Sequence, residues 1–191
     1  MVYCTLFISL LTGVYGILVA GKLSFAQAQD RGALQASVET TLGRMAAELR
    51  ESTTSSLTVF PNTTAPDAPA GVIFASPRLH SNTTGGGSYD RDVTSGRPIW
   101  HKYVAWYLET SGGRSHLVRA EIPIATASTT VTACTLTTSD VHNDTTLYRR
   151  RMGEDVRSFV ATIDGALIRL HYDVMRNKEA MMVNTDVRPR N

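Results

Sequence analysis

VYCTLFISLLTGVYGILVAG, Val2–Gly21, followed without a break by KLSFAQAQDRGALQASVETTLGRMAAELRES, Lys22–Ser52, decides how this chain folds. From Met1 to Gly21 there is no charged side chain. At a rise of about 1.5 Å per residue, roughly twenty apolar residues in a helix cover about 30 Å, the hydrocarbon thickness of a bilayer. No proline occurs before Pro61, so nothing forces the helix to end where the charges begin. The two stretches read as one helix, Met1 to about Ser52, half in lipid and half out.

In the second half, apolar residues fall at Leu34, Val38, Leu42, Met45 and Leu49, at intervals of four, four, three and four. That spacing draws one stripe down a helix and predicts that it packs on a sheet, leaving Lys22, Asp30, Arg44 and Arg50 outside or at the rim. The predicted organisation is therefore a transmembrane half-helix over 1–21, an amphipathic half over 22–52, and a globular domain over 53–191. Within the span, Gly13 and Gly16 lie three apart, on one side of the helix, where small side chains let a neighbouring helix approach closely. Thr5, Ser9 and Thr12 have the preceding turn of backbone as hydrogen-bond partner.

Two other readings of the apolar run fit less well. A secretory signal peptide would carry Lys or Arg at its head and a shorter apolar core, although Ala26-Gln27-Ala28 resembles a cleavage site. A buried core helix of a globular protein seldom lacks a polar face over five turns.

Beyond the helix about 140 residues remain, enough for one domain and one core. A net charge of +2 gives no electrostatic case for nucleic acid, and the one basic cluster, Arg149-Arg150-Arg151, reads as a solvated loop. Cys4 in the span and Cys134 in the domain are not placed to pair, so there is no disulfide framework.

The text then changes to short runs of alternating or β-branched residues separated by Gly, Pro, Ser, Thr and Asn, which predicts strands. Leu57–Phe60 and Gly71–Ala75 are two, with a proline-bearing loop, Pro61 to Pro69, between them. Pro77 to Pro98, with Gly85-Gly86-Gly87, reads as a flexible surface excursion. Ile99–Thr110 and Ser115–Ile124 form a predicted hairpin about Gly112-Gly113. Trp100 and Trp106 share one face of the first strand and Tyr103 and Tyr107 the other. Thr129–Thr138 reads as a weak strand or edge. Ser158–Arg176 forms a second hairpin, with Asp164-Gly165 expected to supply the positive φ angles of a type I′ turn. A helix followed by antiparallel hairpins is an α+β plan.

Taken in order, these elements resemble the type IV pilin-like proteins, in particular minor pilins and the minor pseudopilins of type II secretion. The likeness is carried by Val14-Tyr15-Gly16-Ile17-Leu18, by the helical stretch Leu42 to Glu51, and by Val72-Ile73-Phe74-Ala75-Ser76-Pro77. Trp100 to Val104, Met152 to Phe159 and the basic ending Val187-Arg188-Pro189-Arg190-Asn191 extend it over nearly the whole chain. The family's basic leader, cleavage glycine, phenylalanine and head glutamate have no counterpart here, and alignment of the helix puts Met1 inside the hydrophobic segment. The resemblance implies a pilin-like fold and a structural role. Such a subunit is held in the inner membrane as a single-pass protein with its domain extracytoplasmic. It then joins a pilus or pseudopilus filament, with other pilin-like subunits and the inner-membrane assembly platform as partners.

No feature points to an enzyme or a cofactor. His80, His101, His116, His142 and His171 are dispersed without metal-ligand spacing and accompany no nucleophile motif. Asp140, Asn143 and Asp144 form an oxygen-rich group without the order of a calcium loop, and read as a turn. Asn62, Asn82 and Asn143 begin glycosylation-type triplets that are incidental in a bacterial-type protein. The alternative to a filament subunit is a membrane-anchored extracytoplasmic domain that binds a ligand through its sheet and the Pro77 to Pro98 loop.

Overall fold

A computed structural model describes residues 2–60, 69–81, 83–84, 86–177 and 179–190. The fold is α+β, a long N-terminal helix packed on antiparallel sheet. Helix α1 runs unbroken over Val2–Glu51. Ser52 closes it, its Oγ donating to the Leu49 carbonyl at 2.7 Å, and the Arg190 amide donates to the Ser52 carbonyl at 2.9 Å. Carbonyls left over at the helix end are thus partly satisfied by the segment that ends at Arg190.

The strands divide into two sheets where the sequence suggested one. β1 (Thr58–Phe60), β2 (Gly71–Ser76), β3 (Trp100–Ser111), β4 (Arg114–Ser128) and β5 (Tyr148–Gly153) form an antiparallel sheet in that order. β6 (Val156–Asp164), β7 (Leu167–Arg176) and β8 (Glu179–Val187) form a second, three-stranded one. Between β5 and β6 the chain changes sheet at Asp155, whose φ of 57° is left-handed. Gly153, just before it, lies where Tyr172 of β7 crosses over: a Cβ there would stand 2.1 Å from the Tyr172 hydroxyl.

One core lies between α1 and both sheets. Leu34, Val38, Leu42, Met45 and Leu49 are all buried in it, with Trp106 and Phe74 from the first sheet and Phe159, Leu170 and Tyr172 from the second. A smaller core covers the other face of the first sheet, where Ile73, Tyr107 and Val118 pack beneath Val141, with Tyr103 alongside. Trp106 and the two tyrosines therefore occupy opposite faces of β3, as their spacing requires. β2 is covered on both faces, which is why it reads as a continuous apolar run and not as an alternation.

Both predicted hairpin turns join directly paired residues, but the type I′ geometry expected at Asp164-Gly165 is found at Gly112-Gly113 instead. Ser111 pairs with Arg114, and Gly112 and Gly113 both have positive φ (61° and 76°), the pattern of a type I′ turn. Asp164 instead stays in β6 and pairs with Leu167, so the loop is Gly165-Ala166 with positive φ at Gly165 alone. That is the type II′ pattern, with glycine at the first central position.

The remaining differences have local causes. Residues 129–137 form no strand; the threonine-rich stretch is an irregular linker across the outer face of the first sheet, held where the Tyr103 hydroxyl donates to the Thr132 carbonyl at 2.9 Å. It ends in a short helix, α2 (Thr138–Asn143), because Thr137 and Asp140 exchange hydrogen bonds as a capping box. β-Branching favours strands only where a strand pairs alongside, and this stretch pairs with none among the described residues. Arg149-Arg150-Arg151 lies on edge strand β5 and not in a loop; exposed charge on an edge deters further strand pairing. β8 was also not anticipated. The predicted loop Pro61 to Pro69 falls almost wholly outside the described residues.

Gly153→Ala should destabilise the domain well beyond an ordinary surface change, since either the β5 backbone or Tyr172 must move. Adding Tyr172→Phe removes the clashing oxygen and should recover part of the loss. Thermal melting of both variants checks this; an unaltered midpoint in Gly153→Ala would show that the two sheets do not meet there.

Candidate functional site

α1 has two halves in different surroundings. Up to Gln29 every described side chain on it is exposed, including Tyr3 (88%), Ile17 (75%) and Phe25 (73%). Contiguous apolar surface on this scale is not left in contact with water by a stable soluble protein. By length and composition the helix can cross a membrane. Gly13 and Gly16 sit on this free half, and apart from their own turns of helix nothing among the described residues lies within 4 Å of where a Cβ would stand on either. Thr12 Oγ1 donates to the Ile8 carbonyl at 2.8 Å, so this hydroxyl carries no unmet demand into an apolar medium.

The transition begins at Asp30 and Arg31. Asn177 donates to Asp30 Oδ2 at 3.1 Å, and Arg31 stands 3.5 Å from Glu179. From Leu34 onward the stripe is buried, and Thr41 Oγ1 donates to the Met152 carbonyl at 2.9 Å.

Deeper along the helix lies a buried charged group that the sequence reading did not single out. Glu48 points into the sheet and is bound by Arg119, whose Nε lies 3.0 Å from both carboxylate oxygens, and by Trp106 Nε1 at 3.1 Å. Arg119 Nη1 reaches Glu121 Oε1 at 2.6 Å, and Lys102 Nζ reaches the same oxygen at 2.8 Å. Lys102 also donates to the Leu79 carbonyl at 2.9 Å, and the Ser81 amide donates to Glu121 Oε2 at 2.9 Å. All four charged residues are buried, and two acids against two bases leave the group neutral. His80 Nδ1 approaches Glu121 Oε2 to 3.1 Å without hydrogen-bond geometry.

Burial is the largest influence on the Glu121 carboxyl and opposes its charge, but Lys102, Ser81 and Arg119 together outweigh it and hold the pKa at about 2. For Lys102 burial prevails over the attraction of Glu121, and its ammonium is easier to neutralise than a free one. Arg119 is driven the other way, because Glu48 and Glu121 overcome the cost of its burial.

This group also organises the Pro77 to Pro98 excursion, which is tied down at several points. Arg78 clasps Glu51 with Nε and Nη2 at 2.7 and 2.5 Å and donates to the Gly87 carbonyl at 2.8 Å. His101 Nε2 meets Asp90 at 2.7 Å, and Arg190 reaches the Tyr89 hydroxyl at 3.1 Å.

The other residues singled out in the sequence have local roles. His171 Nδ1 lies 2.7 Å from Asn184 Oδ1, His142 stands edge-on to Tyr107, and His116 is buried on β4. Among the described residues no three His, Cys, Asp or Glu side chains gather as metal ligands would. Asp140 caps α2, and Asp144 accepts from the Thr146 amide and hydroxyl at 2.9 and 2.7 Å. Arg149 closes the other end of α2, donating to the carbonyls of Val141, His142 and Asp144. Cys134 is a half-buried free thiol, while the Cys4 and Thr5 side chains lie outside those described. Asn143 is exposed at the end of α2; Asn62 and Asn82 are outside the described residues.

No protein-family model matches the chain, and neither curated proteins nor solved structures provide a significant match.

Glu48→Ala would leave Arg119 buried with half its partners gone and should cost about 3–5 kcal/mol, measured by chemical denaturation. An unpaired variant no less stable than the parent would show that the site is wet. The depressed carboxyl of Glu121 contributes stability that is complete above the unfolded-state value of about 4.3 and is lost as the pH falls toward 2. Glu121→Gln should accordingly flatten the acid limb of the stability profile between about pH 4 and 2; a limb of unchanged slope would contradict the assignment.

Proposed function

We propose that this chain is a filament subunit of the pilin-like kind, a minor pilin or pseudopilin, that waits in a membrane and is then incorporated by helix packing. The observation that carries this reading is the uninterrupted helix whose first half is bare and apolar while its second half is sunk in a domain. A detachable signal or simple anchor needs no rigid continuity with the fold. A subunit that must be drawn out of lipid without losing its orientation does. In lipid the bare half is solvated by acyl chains; in a bundle the same surface meets other helices, and the exchange costs little because both environments are apolar. Gly13 and Gly16 mark the side on which a neighbour's backbone approaches most closely. The partners are other pilin-like subunits and the inner-membrane assembly platform, and the domain lies on the extracytoplasmic side.

A ligand-binding domain on a membrane anchor is the competing reading. It is favoured by a cleft of about 430 Å³ beside the Pro77 to Pro98 segment, lined in part by His80, His101 and Tyr148.

Crosslinkable residues placed one at a time from Phe7 to Val19 distinguish the two in cells that carry the cognate machine. Filament incorporation predicts adducts with other pilin-like subunits, concentrated on the Gly13–Gly16 side. It also predicts that Gly13→Leu with Gly16→Leu abolishes filaments or secretion while the domain melts as before. Adducts with lipid alone, with the double variant fully active, would favour the anchored binding domain.

A further inference from the structure

A second cleft opens at the end of the domain farthest from the apolar span. It begins at Thr53 and Ser55, immediately after the last turn of α1, so along the helix it lies about 45 Å beyond Gly21. Its volume is about 570 Å³, within the range of small-ligand sites. Four separate segments converge on it: the turn after α1, the turn leading to Pro98, the linker after β4, and Arg190 near the end of the chain. Trp100, itself buried, closes the floor.

The chemistry of the lining is one-sided. Arg97 and Arg190 face the cleft, and among the described residues no Asp or Glu lines it. Among the described residues neither guanidinium has a carboxylate partner; Arg190 Nη1 donates to the Tyr89 hydroxyl at 3.1 Å, and Arg97 makes no side-chain ion pair. Asp92, the nearest acid in sequence, is engaged in its own turn, accepting from the amides of Thr94 and Ser95 at 3.3 and 3.0 Å. The same turn fixes Arg97, whose carbonyl accepts from the Asp92 amide at 2.8 Å. Arg190 is fixed from behind by the hydrogen bond that its amide donates to the Ser52 carbonyl. Both cations are thus set on pinned backbone, and no carboxylate among the described residues lines the cleft beside them. Thr53, Ser55 and Thr130 add hydroxyls that both donate and accept.

We propose that this cleft binds a small polyhydroxylated carboxylic acid of the acidic-sugar class. The guanidinium fork suits a carboxylate, which it holds through two parallel hydrogen bonds. The hydroxyls suit the ring hydroxyls of a saccharide, and the volume accommodates one or two rings. The inference goes beyond filament assembly and does not rest on it, because the cleft is built by the domain alone.

Titration calorimetry of the full-length chain tests it, in an amine-oxide detergent so that no detergent sugar competes. The probes are glucuronate, glucose and inorganic phosphate. Saturable binding of glucuronate is expected, with glucose and phosphate each weaker by about tenfold or more. Arg97→Gln should weaken glucuronate by about tenfold, the loss of a charge-assisted pair. Arg190→Gln should act in the same direction; if its melting temperature falls, Arg97→Gln alone decides, since Arg97 makes no side-chain bond to the core. The proposal is overturned if glucuronate does not bind, if glucose binds equally well, or if Arg97→Gln binds it unchanged. Equal or tighter binding of phosphate would reduce the cleft to a general anion site and would also overturn the proposed class.

Discussion

Glu48 enters the interface between α1 and the first sheet, where an unpaired carboxylate would cost several kcal/mol. Arg119 and the Trp106 indole meet it from adjacent strands, and Arg119 is in turn held by Glu121, which is held by Lys102 and Ser81. Apolar contacts alone leave a helix free to slide on a sheet at modest cost, because one Leu or Met can replace another in a pocket. Charges cannot be exchanged in this way. Slipping α1 by one turn would part Glu48 from Arg119 and Trp106, leaving it only Arg44 of its own helix and leaving the buried Arg119 only Glu121. The ion pair therefore sets the register of the helix on the domain, while Leu34, Val38, Leu42, Met45 and Leu49 provide most of the adhesion.

That register matters because α1 serves two solvents. Its first half offers apolar side chains in every direction and has no internal way to be oriented; its direction is inherited from the half that is docked. Asp30 and Arg31 mark the change, each touching the β7–β8 turn region or the start of β8 before the buried stripe begins. The same network reaches outward through Ser81 and the Leu79 carbonyl to the Pro77 to Pro98 segment, so the end of the helix, the centre of the sheet and the long connection are braced together.

The helix and its stripe were legible because a spacing of three and four has one interpretation, and β3 and β4 because two glycines between alternating runs specify a two-residue turn. The charged anchor was not legible, since Glu48, Lys102, Arg119 and Glu121 each look like ordinary surface residues. A signal did exist: Lys102 is in phase with Trp106 on β3, and Arg119 and Glu121 are in phase with Leu117 on β4, so all three belong to the buried face. With Trp106 opposite Arg119 and Val104 opposite Glu121, opposite charges on that face must meet. α2 was missed because threonine-rich composition suggested strand, whereas a Thr137–Asp140 cap outweighs propensity over one short turn. The second sheet was missed because a sequence spacing carries no statement of which hairpins share a sheet.

Val2–Glu51 is continuous, with an exposed apolar half and a docked half, and the proposed function depends on its holding that form in a bilayer. Spin labels scanned from Phe7 to Leu49 in bilayer nanodiscs measure it directly, through accessibility to oxygen and to a water-soluble relaxant. Oxygen access is expected all round the helix up to Gly21, then water access as far as Ala33. From Leu34 protection from both should recur at intervals of three and four, with its deepest points at the stripe positions. A loss of helical periodicity between Gly21 and Leu34, or water access along one face of the first half, would contradict it.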